Sequence, residues 1–123
     1  MADMYGKGVK GKATRLHAQL VRMKGMCENC GSGDNLQCAH IISRKYNATR
    51  TDENNAFCLC ARCHMNFTDD PVAFGLFVIE RIGEPAYDAL RAKANAGVKW
   101  YESDWKAECV RLQSMIDAQE AKV

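Results

Sequence analysis

The stretch CENCGSGDNLQCAHIISRKYNATRTDENNAFCLCARCH, which runs from Cys27 to His64, decides the fold of this 123-residue chain. Two Cys-x-x-Cys pairs enclose it, Cys27 with Cys30 and Cys60 with Cys63. Structural zinc takes four tetrahedral ligands, and two such turns supply four thiolates with little strain. We therefore predict a four-cysteine zinc site that joins the two ends of this stretch.

The cysteine usage of the whole chain favours metal binding over disulfide bonding. Seven cysteines are present, an odd number, and residues 1–11 lack the apolar core of a secretion signal. No apolar run approaches the ~18 residues that a membrane helix needs, so no membrane contact is expected. Because a reducing compartment keeps thiols free, we expect a cytoplasmic protein, in the bacterial host cell if the chain is phage-encoded. Cys38, Cys58 and Cys109 are expected to be small buried hydrophobes, with Cys58 as an alternative zinc ligand.

Composition and charge bound the class of protein. The chain is 47% hydrophobic and 26% charged, which excludes disordered and fibrous classes. Its first 24 residues hold six basic side chains and one acidic, whereas from Tyr101 onward five acidic side chains stand against three basic ones. A basic front suggests contact with a polyanion, although a solvated charged face explains the charge alone equally well.

Hydrophobic spacing predicts the secondary structure. Residues 1–11 have no hydrophobic period and are predicted to be a flexible basic arm before a single domain, residues 12–123. Within this domain a helix is predicted over 12–24, strands over 36–43 and 56–59 with a polar loop between them, and a helix from Ala61. Further helices follow over 70–123, capped by Asp70 and Ser103. The predicted fold class is α+β: a small unit of two strands and a helix with the zinc site, about residues 27–68, surrounded by α-helices.

The two histidines of the central stretch are candidates for catalysis. In the predicted fold His40, on the first strand, faces His64, in the first turn of the following helix. A solvent-facing imidazole with a pKa of about 6.5 can take a proton from water at neutral pH. An adjacent divalent cation can hold a phosphate and stabilise the leaving oxygen. These two roles together indicate phosphodiester hydrolysis, although either histidine taken singly is more often structural.

The order His40, Asn55 and Cys-x-x-Cys-His ending at His64 resembles the HNH, or ββα-metal, nuclease motif with the zinc knuckles of the phage endonuclease VII group. Between Cys27 and Leu90 the chain is also similar to lambda-type NinG/Rap recombination nucleases. The resemblance implies that His40 is the general base and that Asn55 braces the loop between the strands. It also implies that His64 binds the catalytic cation, Mg²⁺ or Mn²⁺.

Two positions depart from the pattern of many HNH nucleases. Ala39 stands where an Asp or His often precedes the base, and Thr68 stands where a further His often follows one helical turn after the metal ligand. Two interpretations stay open. Mg²⁺ readily takes only one or two protein ligands and keeps its water, so His64 could suffice. Alternatively, Asp69 or Asp70 reaches the ion.

Contacts to nucleic acid are predicted from basic residues that would bind phosphates without reading bases. Arg44 is expected nearest the scissile phosphate, although a solvated loop charge explains it equally well, and His17 is expected to have no special role. The predicted contacts are Lys7, Lys10, Lys12 and Arg15 on the N-terminal side, and Arg44, Lys45 and Arg50 in the loop.

The leading hypothesis is a metal-dependent DNA endonuclease that nicks or cuts DNA, in its specific version at branched recombination intermediates. The alternatives are a non-catalytic zinc-ribbon module that binds DNA or a protein, and an accessory nicking subunit of a phage packaging or recombination complex. A homodimer is open, because a single active site makes one nick. The apolar residues Trp100, Trp105, Leu112 and Ile116 fit a dimer surface and core packing equally well.

Overall fold

We describe residues 8–122 of the chain from a computed structural model. Over this range six α-helices surround a two-stranded antiparallel sheet, which confirms the predicted α+β class. The elements in chain order are α1 (Gly8–Arg22), β1 (Leu36–His40), α2 (Asn47–Arg50), β2 (Ala56–Cys60), α3 (Ala61–Asp69), α4 (Pro71–Ile82), α5 (Glu84–Ala94) and α6 (Glu102–Glu120).

Helices pack on both faces of the hairpin of β1 and β2. Its register pairs Leu36 with Cys60 and His40 with Ala56. Side chains alternate between the two faces of a strand, so Ala56 and Cys58 pack with Val21 of α1. On the other face Phe57 and Leu59 pack with Val78 of α4. Because helices cover both faces, every residue of β2 is buried.

Helix α1 begins earlier than predicted, since Gly8 to Gly11 form its first turn. The predicted flexible arm is therefore wrong for residues 8–11, and its remainder, with Lys7, lies outside the described residues. Glycine disfavours helix, but α1 packs along α6, with Val9 and Ala13 in the same apolar cluster as Trp105. Tertiary packing thus extends the helix beyond what its residues favour alone.

The first strand is shorter than predicted because, at Ile42, the side chain of Asn55 takes the place of the partner strand's backbone in hydrogen bonding. β1 ends at His40 rather than at residue 43. Asn55 Oδ1 accepts from the Ile42 amide at 2.8 Å, and Asn55 Nδ2 donates to the Ile42 carbonyl at 3.0 Å. The loop after the strand, predicted to have no regular structure, contains the single turn α2. The Ile41 amide still bonds the Asn55 carbonyl at 3.0 Å, so the chain leaves the sheet at Ile42.

The helical C-terminal part follows the predicted order, with one different cap. Asp70 Oδ1 accepts from the Ala73 amide at 3.1 Å, as predicted, and α4 ends at Gly83 with φ 81°. Ser103, however, is not the cap of α6. The N-cap is Tyr101, and its amide donates to Asp104 Oδ2 at 2.8 Å.

The apolar face of α6 belongs to the interior of the protein. Trp105 is 4% exposed, and Leu112 and Ile116 are fully buried against α1. The interpretation of these residues as a dimer surface is therefore wrong, and the homodimer itself stays a prediction. Among residues 8–122, no helix has both the length and the apolar character required to cross a membrane.

Candidate metal centre and histidine cleft

The four cysteines predicted as ligands come together at the start of α3. The sulfur atoms of Cys27, Cys30, Cys60 and Cys63 all lie within 4.8 Å of one another, and those of Cys30 and Cys60 are 3.7 Å apart. A tetrahedral zinc ion with Zn–S bonds of about 2.3 Å has S···S edges of about 3.8 Å. The cluster could therefore hold a metal such as zinc. Cys58 is not part of it, because its side chain packs on the α1 face of the sheet.

Hydrogen-bond donors surround these sulfur atoms. The amides of Cys30 and Cys63 point at the sulfurs of Cys27 and Cys60, each at 3.5 Å, and Asn29 Nδ2 donates to the Cys63 sulfur at 3.2 Å. Burial opposes ionisation of Cys27, but the amides around its sulfur outweigh burial and lower its pKa to about 6. Asn29 favours the Cys63 thiolate, yet burial and the three neighbouring thiols raise the pKa of Cys63 to about 12. Ionisation of all four thiols at this spacing would therefore require a cation between them.

Glu28 anchors the first knuckle to the sheet, a role that the sequence did not indicate. Its Oε2 accepts from the Cys58 amide at 2.7 Å and from Lys24 Nζ at 3.1 Å. Its own amide donates to the Cys58 carbonyl at 2.8 Å. The knuckle is therefore bonded to β2 independently of any metal.

Both candidate catalytic histidines line a cleft of about 490 Å³, here named the histidine cleft. Among the described residues that line it, none is acidic, and two are arginines. The full lining is Arg22, Leu36, Gln37, Cys38, His40, Ser43, Arg44 and His64. Two guanidinium groups and no carboxylate make this cleft attractive to a phosphate.

His40 is held by the loop rather than facing solvent. Its Nε2 donates to the Arg50 carbonyl at 2.9 Å, which leaves the lone pair on Nδ1. Burial, only partly offset by this hydrogen bond, lowers the pKa of His40 to about 4. The expectation of an ordinary pKa is therefore wrong, while the half-buried ring still lines the histidine cleft. At neutral pH the ring is in the uncharged form that accepts a proton.

His64 is oriented by a neighbour on the strand. Its Nδ1 donates to Gln37 Oε1 at 2.7 Å, so Nε2 keeps its lone pair, and burial lowers the pKa of this imidazole. A metal-binding histidine commonly has its other ring nitrogen held in this way. Gln37 was missed from the sequence, because the pairing of His64 with β1 depends on how α3 packs against the sheet.

The positions that depart from the HNH pattern lie beside these histidines. Ala39 and Thr68 line a smaller cavity, of about 80 Å³, together with His40 and His64. Within the described chain, neither Asp69 nor Asp70 belongs to the lining of this cavity or of the histidine cleft. Asp70 instead caps α4. Of His64, Asp69 and Asp70, only His64 therefore lines both cavities.

Asn55 is a buried brace, as the resemblance implied. It is fully buried and bonds both polar groups of Ile42, and its Nδ2 also donates to the Thr49 carbonyl at 2.9 Å. These bonds join the two ends of the inter-strand loop, residues 44–54. The loop in turn holds His40 through the Arg50 carbonyl.

His17 has a structural role that the sequence did not indicate, so the expectation of no special role is wrong. It is fully buried, and its Nε2 donates to the Asp52 carbonyl at 2.9 Å. Its ring centroid is 5.1 Å from that of His40. Burial lowers the pKa of His17 as well, so both rings are neutral.

The C-terminal helices fix the inter-strand loop, whose carbonyls bond His17 and His40. Arg111 of α6 donates to the Thr51 carbonyl at 3.1 Å and to both oxygens of Glu108, at 2.6 and 2.8 Å. Glu108 also accepts from Thr51 Oγ1 at 2.5 Å. On α5, Lys93 pairs with the Asp52 carboxylate at 2.7 Å. The helical part therefore supports the site although it adds no side chain to the lining of the histidine cleft.

Replacing Glu108 by Gln is expected to lower the free energy of unfolding by about 1–3 kcal/mol at pH 7, since a partly buried charged hydrogen-bond network is broken. Burial opposes ionisation of Glu108, but bonds from Arg111 and Thr51 outweigh it and lower its pKa. The stabilisation is therefore complete above the ordinary glutamate pKa of about 4.3 and is lost as pH falls through the lower folded value.

Urea unfolding of wild type and E108Q across this pH range measures the difference. Glu102→Gln is the matched control, because its carboxylate is exposed and lies 3.8 Å from the exposed Lys106; a change within about 0.5 kcal/mol is expected there. Equal stability of E108Q and wild type at pH 7 would contradict the structural role of Glu108.

The basic residues predicted to contact nucleic acid separate into three groups. Arg44 lines the histidine cleft, and Lys45 next to it is exposed, with Nζ 5.2 Å from the Tyr46 ring centroid. Arg50 is used inside the protein: its Nε donates to Thr14 Oγ1 at 2.7 Å and its Nη1 to the Arg44 carbonyl at 3.2 Å. Arg50 thereby ties the loop to α1.

The third group lies on α1. Lys10 is partly buried, with Nζ 5.7 Å from the Trp105 ring centroid, and burial lowers its pKa. Lys12 and Arg15 are exposed, and with Gln19 and Arg22 they recur every three or four residues, so they form one face of the helix. We name this face the basic stripe. Arg22, which was not among the predicted contacts, lies at its end and lines the histidine cleft. Its helical spacing from Lys12 and Arg15 was the available signal.

Comparison of the chain with protein-family models, with curated proteins and with solved structures found no match.

Proposed function

We propose that this protein is a divalent-metal-dependent DNA endonuclease of the HNH type. The observation that carries the proposal is the shared cleft: a neutral His40, a His64 with a free Nε2, Arg22 and Arg44 line one cavity, of about 490 Å³. A base, a metal ligand and two phosphate-binding groups are what hydrolysis of a phosphodiester needs.

Each side chain has a role in this proposal. His40 Nδ1 accepts the proton of the attacking water, while the Arg50 carbonyl keeps the hydrogen on Nε2 and the ring in place. Asn55 holds the loop that supplies this carbonyl. His64 Nε2 binds Mg²⁺ or Mn²⁺, which supplies a Lewis acid for the scissile phosphate and the leaving oxygen. Zinc at the four cysteines is structural and takes no part in the reaction.

The basic stripe on α1 gives the path of the DNA backbone in this proposal. Helix α1 has 15 residues and is about 22 Å long. Lys12 and Arg15 lie along it, and Arg22 and Arg44 lie where it meets the cleft. Such contacts bind phosphates without reading bases, so the protein would select the shape of the DNA rather than its sequence.

Replacing Arg22 by Gln is expected to weaken DNA binding equally for different sequences and to reduce the salt dependence by about one unit of slope. Fluorescence anisotropy of labelled duplexes over a range of salt concentrations measures both quantities. Arg91→Gln is the control, because Arg91 is exposed on α5 and its guanidinium lies over the Tyr87 ring. If the slope of log affinity against log salt concentration is the same for R22Q as for wild type, Arg22 does not contact the DNA backbone and the proposed path along α1 is wrong.

Nicking of supercoiled plasmid in the presence of Mg²⁺ or Mn²⁺ tests the proposed function. Conversion to the open circular form is expected with either ion and not with a chelator present. Four-way junctions compared with linear duplexes of the same sequence test the narrower proposal of branched recombination intermediates as substrates. DNA binding without nicking under all these conditions would favour the non-catalytic module. Activity that needs added phage proteins would favour the accessory subunit.

A further inference from the structure

A second cluster of metal-binding side chains lies between α1 and β1, apart from the four-cysteine site. It consists of His17, Cys38 and His40, whose ligand atoms all lie within 4.8 Å of one another. The Cys38 sulfur is 3.9 Å from His17 Nδ1 and 4.0 Å from His40 Nδ1. The two strand residues share the face that packs on α1, because they are two positions apart.

Both imidazoles direct an unprotonated nitrogen toward this sulfur. Nε2 of His17 and Nε2 of His40 donate to the carbonyls of Asp52 and Arg50, each at 2.9 Å. A carbonyl oxygen only accepts, so in both neutral rings the hydrogen is on Nε2 and the lone pair is on Nδ1. Ligand histidines are commonly held in this way by their second nitrogen.

The cluster has fewer hydrogens than it has acceptors. The Cys38 thiol has one hydrogen, and two Nδ1 lone pairs lie at almost equal distances from its sulfur. A thiol hydrogen can serve only one of them, although His17 is fully buried. A metal ion between the three atoms would satisfy both lone pairs at once.

The spacing also fits an ion. A tetrahedral ion with bonds of about 2.3 Å to sulfur and about 2.0 Å to nitrogen has S···N edges of about 3.5 Å. The observed distances of 3.9 and 4.0 Å are slightly longer. Binding of an ion would therefore draw the sulfur and each nitrogen closer together by about 0.4–0.5 Å.

We propose that His17, Cys38 and His40 form a second metal site, which binds a transition ion such as Zn²⁺ or Co²⁺ and leaves its fourth position to water or a ligand in the histidine cleft. Cys38 and His40 both line that cleft. On binding, the S–H bond of Cys38 breaks, the sulfur–metal bond forms and the proton passes to solvent. Imidazole and thiolate favour such ions over Mg²⁺, which separates this site from the proposed cation site at His64.

Occupation of the site has a regulatory consequence, and this consequence rests on the proposed function. The ion would take the Nδ1 lone pair of His40, which the proposed reaction uses to accept a proton. Zinc beyond the first equivalent would therefore inhibit nicking in the presence of Mg²⁺. The binding itself requires no nuclease activity.

The test begins with the full chain loaded with one equivalent of zinc under reducing conditions and without DNA. Equilibrium dialysis against Zn²⁺ is expected to show a second equivalent bound. Co²⁺ added to the one-zinc protein is expected to give a sulfur-to-cobalt charge-transfer band and the intense visible bands of a tetrahedral ion. A stoichiometry that stops at one equivalent would overturn the proposal.

Substitutions test whether His17 and Cys38 bind the second metal ion. Cys38→Ala is expected to weaken binding of the second ion by on the order of 100-fold or more, and His17→Gln to do the same if circular dichroism shows it folded. Cys109→Ala is the matched control, because Cys109 is a buried thiol on α6 that donates to the Val9 carbonyl. Unchanged affinity in C38A would overturn the proposal, whether or not the H17Q variant folds.

A nicking assay with added zinc separates this inference from the proposed function. If wild type nicks with Mg²⁺, inhibition by the second zinc equivalent supports the regulatory consequence, and uninhibited nicking at full occupancy overturns it. If no metal supports nicking, the proposed function fails, while the dialysis and cobalt spectra still decide the metal site.

Discussion

Removal of metal from the four-cysteine site is expected to unfold the unit formed by β1, β2 and α3. Structural zinc contributes about 10–16 kcal/mol in small zinc peptides, which matches or exceeds the total stability of about 5–15 kcal/mol of an ordinary domain. Cys27, Cys60 and Cys63 are also part of the apolar cluster that holds Phe57 and Leu59. Without the ion, several thiols would be packed together in the core with no cation to balance their ionisation.

Hydrogen exchange after treatment with a chelator measures this effect and locates it. Protection is expected to be lost first over residues 27–69. The separate apolar cluster between α1 and α6 contains no ligand of the four-cysteine site, and it includes Trp100 and Trp105. Tryptophan fluorescence therefore reports whether the loss spreads to the rest of the domain.

Substitution of a ligand gives the same test without a chelator. Cys60→Ser is expected to abolish zinc binding at the four-cysteine site and to lower the melting temperature strongly, whereas Cys109→Ser, at a buried thiol outside the cluster, keeps this zinc. A metal-free protein that melts at the temperature of the wild type would show that the cluster has no structural role. His64 follows Cys63 directly, so loss of the zinc would also misplace the proposed cation ligand.

Replacement of His40 by Ala is expected to reduce plasmid nicking by on the order of 100-fold or more, which is the usual contribution of a general base. The imidazole is half-buried at the end of β1 and bonds the Arg50 carbonyl, so the folded state of the variant is checked by circular dichroism and its DNA affinity by anisotropy. The expected result is retained folding and binding with loss of the chemical step.

His64→Ala distinguishes the proposed role of His64 as a metal ligand from that of His40 as the base. If His64 holds the cation, raising the Mn²⁺ concentration restores part of its activity, because the missing ligand weakens metal binding. The same concentration of Mn²⁺ leaves H40A inactive, whereas added imidazole can replace its missing base. H40A nicking at the rate of wild type would exclude His40 as the base and with it the proposed mechanism.

Local features of this chain were predictable because they depend on neighbours in sequence. The Cys-x-x-Cys spacing predicted the two metal-binding turns, and period-two and helical patterns predicted strands and helices in the correct order. Asp70 before Pro71 predicted the start of α4. Asn55 was identified through a resemblance, and its side chain bonds both polar groups of Ile42.

Features that depend on packing between distant segments were not predictable from these patterns. The spacing of α1 identified His17 as a helical residue but could not indicate that Asp52, 35 residues away, would accept its hydrogen. The first turn of α1 forms on glycines because α6 covers it, and the end of β1 is set by the side chain of Asn55.

By itself the sequence determined the α+β class and the four-cysteine cluster, since hydrophobic period and thiol spacing are properties of short segments. It also identified His40 and His64 as candidate site residues. Only the tertiary structure decided that His40 lies beside His17 and Cys38, that Gln37 orients His64, and that Arg22 reaches the cleft. Those contacts arise where α1, the hairpin and the inter-strand loop pack together. The free energies of such contacts depend on burial and on partners far apart in the chain.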